Sequence, residues 1–450
     1  MTYQEAIRYL ESFIDYEKNS DFNYQGAMKL SRVRALLDGL GNPQKNFKTI
    51  HVAGTKGKGS TCAFIYSILK ESGVKAGLYT SPHLINFSER IRVSFPRDRA
   101  INEQEIAALV GRIKLFVDNF SKSSKFGPPS FFEVYTALAL LFFGIKKVEV
   151  AVVEVGMGGR LDATNIVDPL AIGITPISFD HTDKLGKTLE AISKEKCGII
   201  KDGCTVVTAQ QDPAVMSCIT GAASAKNAKL YAVGRDISYE IVEFDEHGQT
   251  FNVRGLSGDY PMLRTPLLGR HQAANAATAI GIIESLADKG MTVSSRDIAK
   301  GVQNVRWPGR LQVFGNSPLV VLDGAQNEAS AKALRDSVKE IFKYKRLLMV
   351  FGVSSGKDIA GISANLFPIS DSIFLTTAAT PRAIPPEKVK ADVPGYADKY
   401  VSTFNVKEAV ELALREAGPS DMVLVTGSLF VVGEALDYLG KKAGNYEQTA

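Results

Sequence analysis

The chain has 450 residues, 53 Lys and Arg against 48 Asp and Glu, a net charge of +5, and 45% hydrophobic residues. That composition excludes a disordered chain, a collagen-like repeat and a disulfide scaffold. The length suits two or three domains with cores that need no covalent staple, and no run of five like charges offers nucleic acid a basic arm.

The first residues, YQEAIRYLESFIDYEK (3–18), are acidic and helix-periodic, so they predict a helix rather than a signal or transit peptide. KTIHVAG (48–54) reads as a strand running into a glycine turn, and Ser60–Gly73 has helical spacing with Ile65, Ile68 and Leu69 on one face. The longest apolar stretch, around Ala137–Phe143, is too short to span a bilayer. Val148–Gly156 is nearly all Val and Ala, as a strand covered on both sides requires. Ala171–Thr175 and Thr205–Ala209 follow the same rule, and Asp180-His181 closes another strand-like segment, ITPISFDH. Beyond Trp307-Pro308-Gly309-Arg310, four more buried-type strands follow: 318–324, 346–352, 371–377 and 421–427. Helical segments such as Val406–Gly418 separate them. Strands alternating with helices predict an α/β protein with mainly parallel sheets, divided into 1–307 and a smaller 308–450.

Gly54-Thr55-Lys56-Gly57-Lys58-Gly59-Ser60, between strand and helix, is the strongest local signal. The inward N–H groups of such a loop and the helix N-terminus bind phosphate; Lys58 reaches the terminal phosphates, and Ser60 offers a hydroxyl near Mg²⁺. A second cluster, Gly156-Met157-Gly158-Gly159, fails as a dinucleotide fingerprint because its third glycine would fall on Leu161. Glu154, at the carboxyl end of an apolar strand, is costly to bury without a partner and sits where open α/β sheets place ligands. Cys62, Cys197, Cys204 and Cys218 show no C-x-x-C spacing and read as reduced thiols of a cytoplasmic protein.

Taken together, HVAGTKGKGS (51–60), TSPHL with ERI (80–84, 89–91), EVGMGGRLDATN (154–165), DHTDKLGKTLEAISKEKCGIIK (180–201), GRHQAANA (269–276), WPGRLQ (307–312), DGAQN (323–327) and VTGSLFVVGE (425–434) resemble the folylpolyglutamate synthase/dihydrofolate synthase family of the Mur ligase superfamily. The resemblance implies a P-loop central domain and a Rossmann-like C-terminal domain. It implies ATP-driven joining of L-glutamate to a folate or dihydropteroate through an acyl phosphate, by a monomer that binds neither membrane nor nucleic acid. It assigns ATP phosphates to Lys56, Gly57, Lys58, Gly59 and Ser60, adenine to Asn275, phosphate to Arg310 and ribose to Asp323. Two Mg²⁺ sites would use Ser60, and Ser81, Glu154 and His181 with a carbamylated Lys196. The catalytic group would comprise Lys58, Glu154, His181 and Lys196. Pteroate would meet Ser130, Phe131, Phe132 and Glu133, and Leu161, Asp162 and Ala163.

The chain departs from the family pattern at Lys56, where many bacterial members carry Asn, at Cys197 in place of a common Ala, and at Gln326 and Glu328, where the family usually shows His and Pro. A neutral Gln326 near the phosphates loses a cation and proton donor but can still donate a hydrogen bond, which predicts reduced or retuned turnover rather than a dead enzyme. Two alternatives stand beside the ligase: a nucleotide-binding pseudoenzyme of this fold, and a Mur-type ligase with another acyl acceptor.

Overall fold

Runs of Val, Ala and Ile become the central strands of two parallel-rich sheets. The structure, a computed structural model, describes residues 1–17 and 22–442. Lys18, the end of the expected N-terminal helical stretch, and residues 443–450, the end of the second unit, lie outside the described residues. The first sheet contains β1 (Lys48–Ala53), β2 (Ala76–Tyr79), β3 (Ile91–Val93), β4 (Arg99–Ala100), β5 (Val150–Glu154), β6 (Pro169–Ile174), β7 (Thr205–Thr208) and β8 (Lys229–Ala232), ordered β4-β3-β2-β5-β1-β6-β7-β8. Only the β2–β3 and β3–β4 pairings are antiparallel.

β5 shows why the run had to be continuous. Val150 and Val152 enter the core on one face, among Phe64, Ile68 and Ile280. Ala151 and Val153 enter the other, among Phe131, Tyr135 and Phe143. Alternate side chains point to opposite faces, and helices cover both, so both faces call for mainly apolar residues. The N-terminal helix is Tyr3–Glu11, started by a capping box between Thr2 and Glu5.

A small antiparallel sheet, β9 (Ser238–Asp245), β10 (Gly248–Arg254) and β11 (Asp259–Thr265), lies outside the first and contributes Phe251, Val253, Tyr260 and Leu263 to its core. Sequence reading missed it. The signal was present as the alternating exposure of β9 either side of a tight turn at Glu246-His247.

The third sheet comprises β12 (Gln312–Asn316), β13 (Leu319–Leu322), β14 (Leu347–Phe351), β15 (Ser372–Leu375), β16 (Tyr400–Ser402) and β17 (Met422–Thr426), ordered β12-β13-β17-β14-β15-β16. Its strands are parallel except for β12 against β13. Two apolar clusters sandwich it. One expected strand is corrected. ITPISFDH is strand only to Ile174, and 175–181 leaves the sheet as a loop. Pro176 has no N–H to continue the ladder.

Candidate active site

β1 and β5 run side by side with Val52 opposite Glu154, and Ala53 opposite Ile174 of β6. The carboxyl ends of three adjacent strands therefore deliver the glycine loop, Glu154 and the segment leading to Asp180 at one level. The helix Lys58–Glu71 starts at Gly57, and no side chain caps its first N–H groups. They are left for a ligand. Gly57 has φ +80°, and a Cβ there would lie 2.4 Å from Asn275 Oδ1. At Gly59 the constraint is space, because a Cβ would come within 2.6 Å of Trp307 Cζ2. Asn275, expected to contact adenine, is 4% exposed, donates to Gln272 Oε1 at 3.1 Å and is packed against the phosphate loop.

Glu154 is buried, and its Oε2 accepts the Ser81 N–H at 3.1 Å. Burial pushes its carboxyl up, opposed by Lys58, the Ser81 N–H and Arg310. Ser60 is buried at the start of the same helix. Lys196 comes from the helix Leu189–Cys197, is buried, and donates to the Gly54 carbonyl at 2.7 Å. Burial, then Lys58, push its amine down to about 7. The Lys56 amine is pushed down to about 8 by burial, against the pull of Asp180. His181 stands at φ +49° and its pKa is lowered, first by crowding that strips water from the ring.

The second lobe closes over this group. Lys357 Nζ, in the loop after β14, lies 3.4 Å from Asp180 Oδ1, with both side chains largely buried. Burial works against Asp180 ionising, yet His181, Lys357 and Lys58 outweigh it and hold the carboxyl below its usual range. Arg310 Nη1 donates to the Gly309 carbonyl at 3.0 Å and feels both Asp323 and Glu154. Asp323, just past β13, accepts the N–H groups of Leu311 and Ala325 at 2.9 Å each. Gln326 is half-buried, and its N–H donates to Ser330 Oγ at 3.1 Å. Sequence reading missed Lys357. Nothing near Lys357 in the chain marks the Asp180 that it meets.

The expected pteroate residues differ in how far their side chains are already engaged within the fold. Ser130 and Glu133 form a capping box at the start of the helix Phe131–Ile145. Glu133 also takes Arg32 Nε and Nη2 at 2.8 Å each, so its carboxylate is committed to a buried ion pair. Phe131 is 1% exposed, with its ring 5.5 Å from Tyr135 and 5.7 Å from Phe87, and presents no face to a ligand. Phe132 differs: its ring lies against Gly156, where a Cβ would come within 2.6 Å. Leu161 is half-buried, and Ala163 is buried. Asp162 is buried and occupied by its own loop, accepting the N–H of Met157 at 2.9 Å and of Thr164 at 3.0 Å.

His51, in β1, is wholly buried, and burial pushes it down to about 3. The unfolded chain then binds a proton below about pH 6.5 that the folded chain refuses until about pH 3. Stability present above pH 6.5 should be lost as pH falls through that window, by at most ~1.4 kcal/mol per unit. Urea titrations from pH 7 to 4 check this: His51→Gln should flatten the acid slope by about one proton, and an unchanged slope contradicts it.

The metal expectation can be tested on the donors. Among the described residues no three His, Cys, Asp or Glu side chains converge on one point. Mg²⁺ does not ask for such a cage; it takes one or two carboxylates, keeps waters and shares substrate phosphates. A buried Glu154 beside Ser81, at the level of the glycine loop, fits that pattern.

Residues 52–283 match the Mur ligase middle domain and 309–429 the Mur ligase glutamate ligase domain. The chain is 35% identical to a dihydrofolate synthase/folylpolyglutamate synthase of Bacillus subtilis over 90% of this chain and 93% of that protein. It is 38% identical to a probable bifunctional folylpolyglutamate synthase/dihydropteroate synthase of Halobacterium salinarum, covering 89% of this chain but only 48% of that longer protein. The folylpolyglutamate synthase of Mycobacterium tuberculosis complexed with ADP superposes with a TM-score of 0.87 at 31% identity, over 97% of this chain and 98% of that one.

Proposed function

This chain belongs to the folylpolyglutamate and dihydrofolate synthases of the Mur ligase family, and from that premise we propose how its residues join L-glutamate to a folate or dihydropteroate using ATP. We divide the work between residues 1–307, which hold nucleotide and acyl acceptor, and 308–450, which close over them.

The acceptor carboxylate attacks the γ-phosphorus; a P–O bond forms, the bridging P–O bond breaks, and ADP leaves. The amino group of glutamate attacks the acyl carbon, a C–N bond forms, and phosphate departs as the amine loses a proton. Both partners of the first step are anions, so alignment and charge neutralisation carry most of the catalysis. Lys56, Lys58 and the N–H groups of Gly57–Ser60 hold the phosphates. Arg310 adds charge from the second lobe, with Asn275 on adenine and Asp323 on ribose. Mg²⁺ would be held at Ser60 and by Ser81, Glu154 and His181, where it supplies positive charge to the transferring group. The buried Lys196 amine, when neutral, attacks CO₂ and loses a proton to become an anionic carbamate. On the acceptor side, Phe132, Leu161, Asp162 and Ala163 line the approach. Four free cysteines suit a reducing compartment, so we place the enzyme in the cytoplasm, acting as a monomer.

The observation that carries this reading is the register of β1 against β5, which sets the phosphate loop and Glu154 at one level. Its test is release of ADP and phosphate that requires acceptor and glutamate together, with the product weighed. Release independent of either substrate defeats the ligase. Gln326, where the family resemblance leads to the expectation of His, tunes turnover. Gln326→His is expected to raise kcat severalfold, and an unchanged kcat shows that the amide suffices.

A further inference from the structure

His51 sits in β1, three residues before Gly54, and is 0% exposed. Its Nε2 lies 2.8 Å from Thr164 Oγ1. That hydroxyl donates to Asp162 Oδ1 at 2.5 Å, an oxygen that also accepts the Thr164 N–H at 3.0 Å. Asp162 Oδ2 accepts the Met157 N–H at 2.9 Å. A hydroxyl has one proton. Because Thr164 gives it to the carboxylate, its oxygen accepts from His51, and the imidazole proton must be on Nε2. Nδ1 is then a bare lone pair, and it is buried without a partner. An unpaired buried nitrogen is costly, so it is the bond of Nε2, and not apolar packing, that this imidazole serves.

The chain of bonds joins two halves of the site. One end is the strand that carries the phosphate loop. The other is the loop Gly156–Asn165, whose Met157 and Thr164 amides are both tied to Asp162, and whose Gly156 and Gly159 lie against Phe132 and the Lys196 backbone. We propose that His51 is a positioning residue for the acyl acceptor: through Thr164 it fixes the Asp162 rotamer, and with it the shape of the loop that faces the pteroate. This rests on the reading of that loop as the acceptor side of the site.

The test uses the full chain, ATP, glutamate, and dihydropteroate or tetrahydrofolate as acceptor. His51→Leu and Thr164→Val should each raise the acceptor KM about five- to tenfold, the worth of one neutral hydrogen bond, while the ATP KM stays within about twofold. The double variant should be no worse than the poorer single one, because both break the same chain. His51→Gln, which keeps an N–H donor, and Thr164→Ser, which keeps the hydroxyl, should recover most of the loss; they also decide the matter if the apolar variants fail to fold. Folded variants whose acceptor KM is unchanged, or whose two KM values rise together, overturn the relay. Asp162→Asn separates the two layers. If it raises the acceptor KM while the His51 and Thr164 variants do not, the relay fails and the acceptor reading stands. If it leaves the acceptor KM alone, the acceptor reading fails and takes the relay with it.

Discussion

Glu154→Gln is expected to slow ligation by ~10–100-fold or more and to raise the Mg²⁺ concentration needed for half-maximal rate. The substitution keeps the shape and removes only the charge. In the native chain that charge is 5% exposed, takes one N–H from Ser81, and lies within reach of Lys58 and Arg310. Burial raises its carboxyl pKa, so the ionised form is held against a desolvation cost. A neutral amide escapes that cost, and the thermal midpoint of the variant should hold or rise while activity collapses. Opposite movement of stability and rate is the signature of a charged group kept for function. Rates measured across a Mg²⁺ series, beside a melting curve, decide it; native Mg²⁺ dependence would remove Glu154 from the site.

Lys196→Ala should cost a comparable ~10–100-fold, for two separable reasons. The first is mechanical. The Nζ–Gly54 bond of 2.7 Å braces the first glycine of the phosphate loop from the helix Leu189–Cys197, and alanine leaves that carbonyl without its donor. The second is the anion that a carbamate would add. Lys196→Arg keeps a donor but cannot form the carbamate, so it isolates the second reason. Native enzyme in CO₂-free buffer should lose rate and regain it with bicarbonate, whereas neither variant should respond. A native enzyme indifferent to CO₂ would leave Lys196 as a brace alone, and a fully active Lys196→Ala would remove both roles.

Charged side chains help to join the two lobes. Lys357 on Asp180 spans 177 positions of sequence, and Arg382 Nη1 reaches the Glu17 carbonyl at 2.8 Å across 365. Neither contact is visible to a reading that looks along the chain. The departures at Lys56 and Glu328 gain meaning only here, because Glu328 is among the charges acting on the Lys56 amine. One partner of the expected pteroate residues is hidden for a related reason. Ser130 and Glu133 carry a capping box legible as S-x-x-E, yet the Arg32 that occupies Glu133 lies 101 residues away.

Some things the sequence determined alone. Short Val-rich runs bounded by glycine read as covered strands, because both faces are packed against apolar neighbours. A glycine-rich turn between strand and helix leaves the first N–H groups of the helix open to a ligand. A glutamate at the end of such a strand demands a partner. These follow from forces that act within a few residues: steric limits on φ and ψ, hydrophobic periodicity, and the unsatisfied ends of helices. Tertiary structure alone decided which polar groups were already taken. Glu133 and Phe131 look available in one dimension and are engaged in three, by Arg32 and by Phe87. A carboxylate or a ring is free or filled according to neighbours brought from anywhere in the chain, and the burial that makes those bonds strong is a property of the packed core.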